Sequence, residues 1–332
     1  MPTSPYATIH RYVLPDIIQL DRLGSAGGFS GAEIWKLQTR ERHYCLRRWP
    51  TAHPTFEHLS WIHRVLLHAA NNDCPFLAAP VRNTRGETIT REDSGLWEVS
   101  HWMPGNASFH LDPNNTRLAN MMRSLAKFHL ASAQVSLDFT TSVNLNARIN
   151  QLKQLSPLLE QIAREKISNH SAAELFPEIE NFRRQAVSHL NRLAAPLLRR
   201  LNYFEHQLFP VQPILRDIWH DHVLFTENQV TGFVDFGAMQ MDNVAVDIAR
   251  LLGSTIGVDP QQWTIALAAY EEMRRLSEFE KACLPWLDQS VILLGSVNWL
   301  KWIYVDRREF EDWHRVLVRL NFLRDRFEKL VI

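Results

Sequence analysis

Two carboxylates and a histidine in the second half of the chain have the types and spacing that phosphoryl transfer needs. Asp217 sits in the stretch LRDIWHDHVLF (215–225), and Asp235 opens Asp235-Phe236-Gly237 eighteen residues later. Between them run HVLF, TENQ and VTGFVDF, two strand-forming segments around a polar turn, so one short hairpin would present both acids. One carboxylate could accept or orient a hydroxyl proton while the other holds a divalent cation against nucleotide phosphates. His222 stands five residues after Asp217. A neutral imidazole can ligate such an ion, although it suits Mn2+ or Zn2+ better than Mg2+, and a protonated one would repel it.

Phosphates also need donors, and two upstream segments offer them. The chain has 12 glycines in 332 residues, yet four of them, Gly24, Gly27, Gly28 and Gly31, fall in GSAGGFSG. Glycine admits positive φ and close approach of backbone to a ligand. The segment reads as a loop folding over phosphates, with backbone N–H groups and Ser30 as donors; the plainer alternative is a hairpin turn. No GxxxxGK[ST] pattern occurs. About fifteen residues on, CLRRWP would form a strand on which Arg47 and Arg48 face opposite sides. The phase favours Arg47 as the inward cation beneath the glycine loop.

Composition and periodicity give the elements that must position these groups. Hydrophobic residues make up 45% and charged residues 22%, as in an ordinary globular protein. The length allows one large domain or two packed lobes. Lys+Arg and Asp+Glu number 36 each, a balance that argues against a nucleic-acid or anionic-membrane surface. Cys45, Cys74 and Cys283 show no paired spacing, which excludes a zinc ribbon. The first residues lack a basic start followed by an apolar run, and VILLGSVNWLKWIYV is too short for a membrane span, so a cytoplasmic protein is expected. The first hundred residues read as β-rich with one helix, FEHLSWIHRVLLHAA, whose Leu59, Ile62, Leu66 and Ala69 share a face. Beyond them the chain reads mostly as helix, with long amphipathic segments at 146–166 and 172–205. A β-rich unit followed by a helical one predicts an α+β fold in two parts.

Taken in order, the glycine loop, the basic strand, Arg216-Asp217 and Asp235-Phe236-Gly237 resemble the aminoglycoside phosphotransferase, choline kinase and type II homoserine kinase superfamily. The resemblance runs from the glycine loop to DIARLLGS. HWMPG (101–105) is similar to the family's interlobe hinge, and LAKFHLA (125–131) to the helix beneath its catalytic loop. It implies a protein-kinase-like α+β fold with a small β-rich N-lobe (1–100), a hinge (101–106) and a larger helical C-lobe (107–332) carrying the catalytic loop and acceptor site. It implies ATP with Mg2+, or with Mn2+ in its place, a small-molecule acceptor, and neither nucleic acid nor membrane as partner. Residue by residue, it implies Asp217 as the base and Asp235 with His222 as metal ligands. Arg47 takes the place of the phosphate-binding Lys, Gly27, Gly28 and Ser30 cover the phosphates, and the backbone of His101 and Met103 meets adenine. Asp247 would tie the segment after Asp235 to the catalytic loop.

Three departures from the family pattern bear on activity. Arg47 replaces Lys, which keeps the charge but changes its geometry to a fork. The helix at 55–70 offers only Glu57, in its first turn, to pair with that cation, and His222 replaces Asn. The expected activity is transfer of the γ-phosphate of ATP to a hydroxyl of a small metabolite. The alternatives are a nucleotide-binding pseudokinase, and a scaffold that kept only the fold, against which the retained Asp217 and Asp235 speak. For the acceptor, Trp299 and Trp302 lie at i and i+3 with Asp306 one turn beyond. Such a wall would suit a cationic acceptor, unless the tryptophans fill the core.

Overall fold

Alternation builds the first sheet: Trp35 and Leu37 on one strand, Tyr44 and Leu46 on the next, and Trp97 and Val99 on a third are buried in one cluster, as a side-chain period of two dictates. The computed structural model describes residues 4–24, 31–92, 95–166, 170–310, 312–327 and 329–330. A short helix α1 (Pro5–Ile9) precedes β1 (Ile17–Gly24), β2 (Glu33–Thr39) and β3 (His43–Arg48), followed by α2 (Phe56–Ala70), β4 (Thr90–Glu92) and β5 (Gly95–His101). The five strands form an antiparallel sheet in the order β1-β2-β3-β5-β4. A second, smaller cluster joins Trp49, Ala32 and Ile89 to Leu59 of α2. Thr55 starts that helix by accepting the His58 N–H, a standard N-cap. Its buried face holds Leu59, Ile62, Val65, Leu66 and Ala69, and also His63.

The chain continues as α3 (Asn115–Ala133), β6 (Asp138–Thr140), α4 (Val143–Lys153), α5 (Leu155–Arg164), α6 (Phe176–Asn202), β7 (Phe209–Ile214), β8 (Val223–Thr226), β9 (Gln229–Phe233), β10 (Gln240–Asp242), α7 (Ala245–Ile256), α8 (Pro260–Glu271), α9 (Glu278–Leu300) and α10 (Trp313–Phe327). An antiparallel β region followed by a helical region makes the fold α+β, as the sequence leads one to expect. Contacts group the chain into two units. The first is Met1–Ser136, Asp217–Gln240 and Ile265–Arg274; the second is Leu137–Arg216, Met241–Thr264 and Arg275–Ile332. The sheet, α3 and the β8–β9 hairpin thus belong together.

Two details depart from the periodicity reading. The segment 146–166 breaks at Gln154 into α4 and α5. Strands β6, β7 and β10 form a three-stranded sheet, order β10-β7-β6, and β6 and β7 fall in a region that reads mostly as helix. The sequence of β7, FPVQPI, is buried at five of six positions, so it carries no alternation to read. Residues 101–106, expected as a hinge, lie within the first unit. Asn106 and Phe225 exchange backbone hydrogen bonds of 3.0 and 2.8 Å. Gly105 has φ +91°, and a Cβ there would collide with Thr231 Oγ1 and the Phe225 carbonyl. Thr231 Oγ1 in turn donates to the Pro104 carbonyl at 2.7 Å.

Candidate active site

The β8–β9 hairpin sets the spacing of the site. Val223 pairs with Phe233 in antiparallel register, so the residues before the first and after the second emerge side by side. Val234 N–H donates to the His222 carbonyl at 3.1 Å. Phe233 is held by its N–H to the Phe76 carbonyl, 2.7 Å, and by edge-to-face packing on the Phe76 ring. Asp235 follows with φ +65°, a left-handed conformation rare outside glycine that is held only where the surroundings demand it. Its side chain stays 46% exposed. At Gly237 a Cβ would lie 2.5 Å from Trp49 Cη2, so only glycine lets that indole lie against the turn.

Arg47 reaches this turn from β3. Its Nη1 lies 3.2 Å from Asp235 Oδ1, and its guanidinium sits 4.7 Å from the Trp49 ring centroid. Arg48, one residue on, pairs with Glu33 instead, as alternation on a strand requires. Glu98 is the cross-strand neighbour of Arg47 on β5; its Oε1 is 3.8 Å from Arg47 Nε, and its Oε2 is 2.6 Å from His63 Nε2. Burial opposes the charge on Glu98, but the His63 hydrogen bond and the charges of His63 and Arg47 outweigh it and hold the carboxyl below its ordinary range. Desolvation likewise opposes ionisation of Asp235, and Arg47 and His222 overcome it in the same direction.

Besides Asp235, the acid beside Arg47 therefore comes from β5, not from α2, and sequence reasoning missed both Glu98 and His63. Two signals were present. Glu98 interrupts an apolar strand on the same phase as Arg47's face, and His63 falls inside the apolar stripe of α2.

Asp217 is exposed and follows Arg216, whose φ is +66°. His222 Nδ1 lies 2.9 Å from the Asp217 backbone oxygen. A carbonyl only accepts, so Nδ1 carries the hydrogen. Nε2 is then left toward Asp235 Oδ2, 3.8 Å away. When the ring is neutral, this tautomer offers one donor and one acceptor, fewer than the two N–H donors and carbonyl oxygen of the Asn side chain in the family pattern. In the second unit, Asp247 accepts the consecutive N–H groups of Leu215 and Arg216 at 2.7 and 2.6 Å. It thereby fixes the end of the segment that leads into Asp217.

Asp235 and His222 could together hold a cation. Among the described residues no group of three or more His, Cys, Asp or Glu could enclose a metal by itself. Mg2+ keeps several waters and is bound through one or two carboxylates plus substrate phosphates; Asp235 meets that demand with one carboxylate, while the His222 imidazole favours Mn2+.

The remaining candidates fall elsewhere. Gly27, Gly28 and Ser30 lie outside the described residues. His101 N–H donates to the Ala79 carbonyl at 3.3 Å, so an adenine contact at this residue would fall to its carbonyl; Met103 is buried just past the end of β5. In the second unit, the Trp299 and Trp302 rings are 5.1 Å apart, Arg308 lies 4.7 Å over Trp302, and Lys301 Nζ is 2.7 Å from Asp306. The aromatic wall already holds a cation of the chain, and the carboxylate already has its counter-ion.

Comparison with known proteins gives the family and the fold. Residues 24–279 match the phosphotransferase enzyme family, APH. The homoserine kinase of Bradyrhizobium diazoefficiens is 24% identical over 260 residues, 70% of each chain. Among solved structures, spectinomycin phosphotransferase APH(9)-Ia, in complex with ADP and spectinomycin, superposes with a TM-score of 0.68 at 12% identity, covering 99% of this chain and 100% of that one. Amicoumacin kinase, in complex with AMP-PNP and Ca2+, gives 0.64 at 12% identity over 98% and 96%. The fold is that of the protein-kinase-like phosphotransferases. No helix among the described residues is long and apolar enough to cross a membrane. This chain belongs to the phosphotransferase enzyme family and is a small-molecule kinase.

Proposed function

We propose that the protein transfers the γ-phosphoryl group of ATP to a hydroxyl of a small metabolite. The acceptor oxygen attacks the γ-phosphorus, the bond to the β,γ-bridging oxygen breaks, and ADP leaves. The hydroxyl proton passes to the Asp217 carboxylate. Arg47 lies against the nucleotide phosphates with the backbone of Gly27, Gly28 and Ser30. Asp235 and His222 hold Mg2+, which when bound neutralises charge on the phosphates. The His101 carbonyl and the Met103 backbone meet adenine. His222 does two jobs in this reading: Nδ1 fixes the Asp217 backbone, and Nε2 serves as ligand.

The observation that carries the reading is the convergence of Arg47, Asp235 and His222. Arg47 and Asp235 are 188 residues apart in sequence yet hydrogen-bonded, and the same carboxylate faces an imidazole already oriented by the backbone of Asp217. The names of the curated relatives make homoserine the first acceptor to assay. The test is ATP binding and turnover with Mg2+ and with Mn2+. Metal-dependent binding lost in Asp235→Ala, with turnover lost but binding retained in Asp217→Ala, supports the assignment. Full turnover in Asp217→Ala would overturn it.

A further inference from the structure

His63 and Glu98 stand behind Arg47 and take no part in the chemistry just described. Both are buried, at 3% and 8% exposure, and a buried charge is costly unless its partners are well placed. The partners are placed by the fold. Antiparallel register puts Glu98 beside Arg47, and α2 brings His63 Nε2 to 2.6 Å from Glu98. Arg47 is shared between two anions. Nη1 donates to Asp235, while Nε faces Glu98 at 3.8 Å and has no hydrogen-bond partner among the described residues. If Asp235 turns to a cation, Arg47 loses its nearer anion, and Glu98 is the one left to hold it, with an unused Nε in reach.

We propose that His63 and Glu98 form a positioning pair for Arg47: the imidazole orients the carboxylate, and the carboxylate keeps the guanidinium at the phosphate site once Asp235 is engaged elsewhere. The inference rests on the reading of Arg47 as a phosphate contact. It explains how α2 can lack an acid in its interior: the anion comes from β5 and the helix supplies only its hydrogen-bond partner.

The test is ADP affinity by calorimetry, with and without Mg2+, in the full chain. Glu98→Gln should weaken ADP binding about tenfold with Mg2+ and distinctly less without it, because only then is Asp235 free to hold Arg47. His63→Leu should act in the same direction by about threefold, and Glu98→Asp should recover part of the loss. In an Arg47→Ala background, Glu98→Gln should add less than about twofold. A loss that is equal with and without Mg2+, or that persists undiminished without Arg47, would reduce the pair to packing and overturn the proposal. Unchanged ADP affinity in Arg47→Ala would sink the phosphate reading and the pair with it, whereas a loss in Arg47→Ala with none in Glu98→Gln sinks the pair alone. Should Glu98→Gln fail to fold, His63→Leu leaves the carboxylate in place and carries the same cycle.

Discussion

Asp235 in the first unit and Asp288 in the second are both paired with an arginine, at 3.2 and 2.7 Å. The Asp235 side chain is 46% exposed and its residue is held at φ +65°. Asp288 and Arg326 are 6% and 7% exposed, and a Cβ at Gly253 would collide with the Asp288 carboxylate. Burial pushes the Asp288 carboxyl above its ordinary range despite Arg326, whereas Arg47 and His222 overcome desolvation and push that of Asp235 below. One acid is kept ionised and open beside Arg47 and His222. The other is sealed between helices. A sealed pair is weak evidence for anything but architecture, and an open, strained, multiply attended one is where ligand chemistry is expected.

The contrast is broken most directly by truncating each acid. Asp235→Ala should lower metal-dependent turnover by about 10²–10³-fold and leave the urea midpoint nearly unchanged. Asp288→Ala strands Arg326 in the interior and should cost about 3–5 kcal/mol of stability, with turnover per folded molecule intact. If the two variants exchanged these phenotypes, exposure would be no guide to use. Gly237→Ala should come next: its Cβ displaces Trp49, and with it Arg47, and kcat/KM for ATP should fall about tenfold, measured beside the acceptor KM, which should hold. A smaller effect is expected from acid. Glu98, facing His63 from α2 and Arg47 from β3, is held below its ordinary range, so the unfolded chain takes up its proton at higher pH than the folded one. Its stabilisation is fully present above about pH 4.3 and fades as pH falls through the lower folded value. The pH dependence of unfolding free energy between about pH 6 and pH 3 should therefore be steeper in the wild type than in Glu98→Gln. Smallest of all, Trp302→Phe should cost about 1 kcal/mol of stability and leave acceptor KM alone, since Arg308 already occupies its face; a raised KM would return the second unit's tryptophans to the acceptor site.

Local pattern made part of this site legible. Strand alternation picked Arg47 over Arg48, and the two apolar runs around TENQ announced the hairpin that brings His222 to Asp235. What stayed hidden depends on contacts between elements. The Glu98–His63 pair spans 35 residues and exists only because β5 pairs with β3 while α2 packs close by; neither segment alone reveals it. Strand β7 was missed because nearly every position is buried, which removes the alternation that marks a half-exposed strand. For the acceptor residues the spacing gave the proximity but not the neighbours: Trp299 and Trp302 lie together, and the chain's own Arg308 and Lys301 stand against Trp302 and Asp306.

Gly105 and the paired amides of Asn106 and Phe225 bear on where this chain can be cut. Short polar bends between elements are usually the places that tolerate nicking, insertion or new termini. This one has no room for a side chain and is stitched to the hairpin on both sides. A break there would uncouple His222 and Asp235, the proposed metal ligands, from the strand that carries Arg47, although each would remain folded locally. Split or permuted versions of this enzyme should place their new ends elsewhere, and the bend at 104–106 can serve as the negative control.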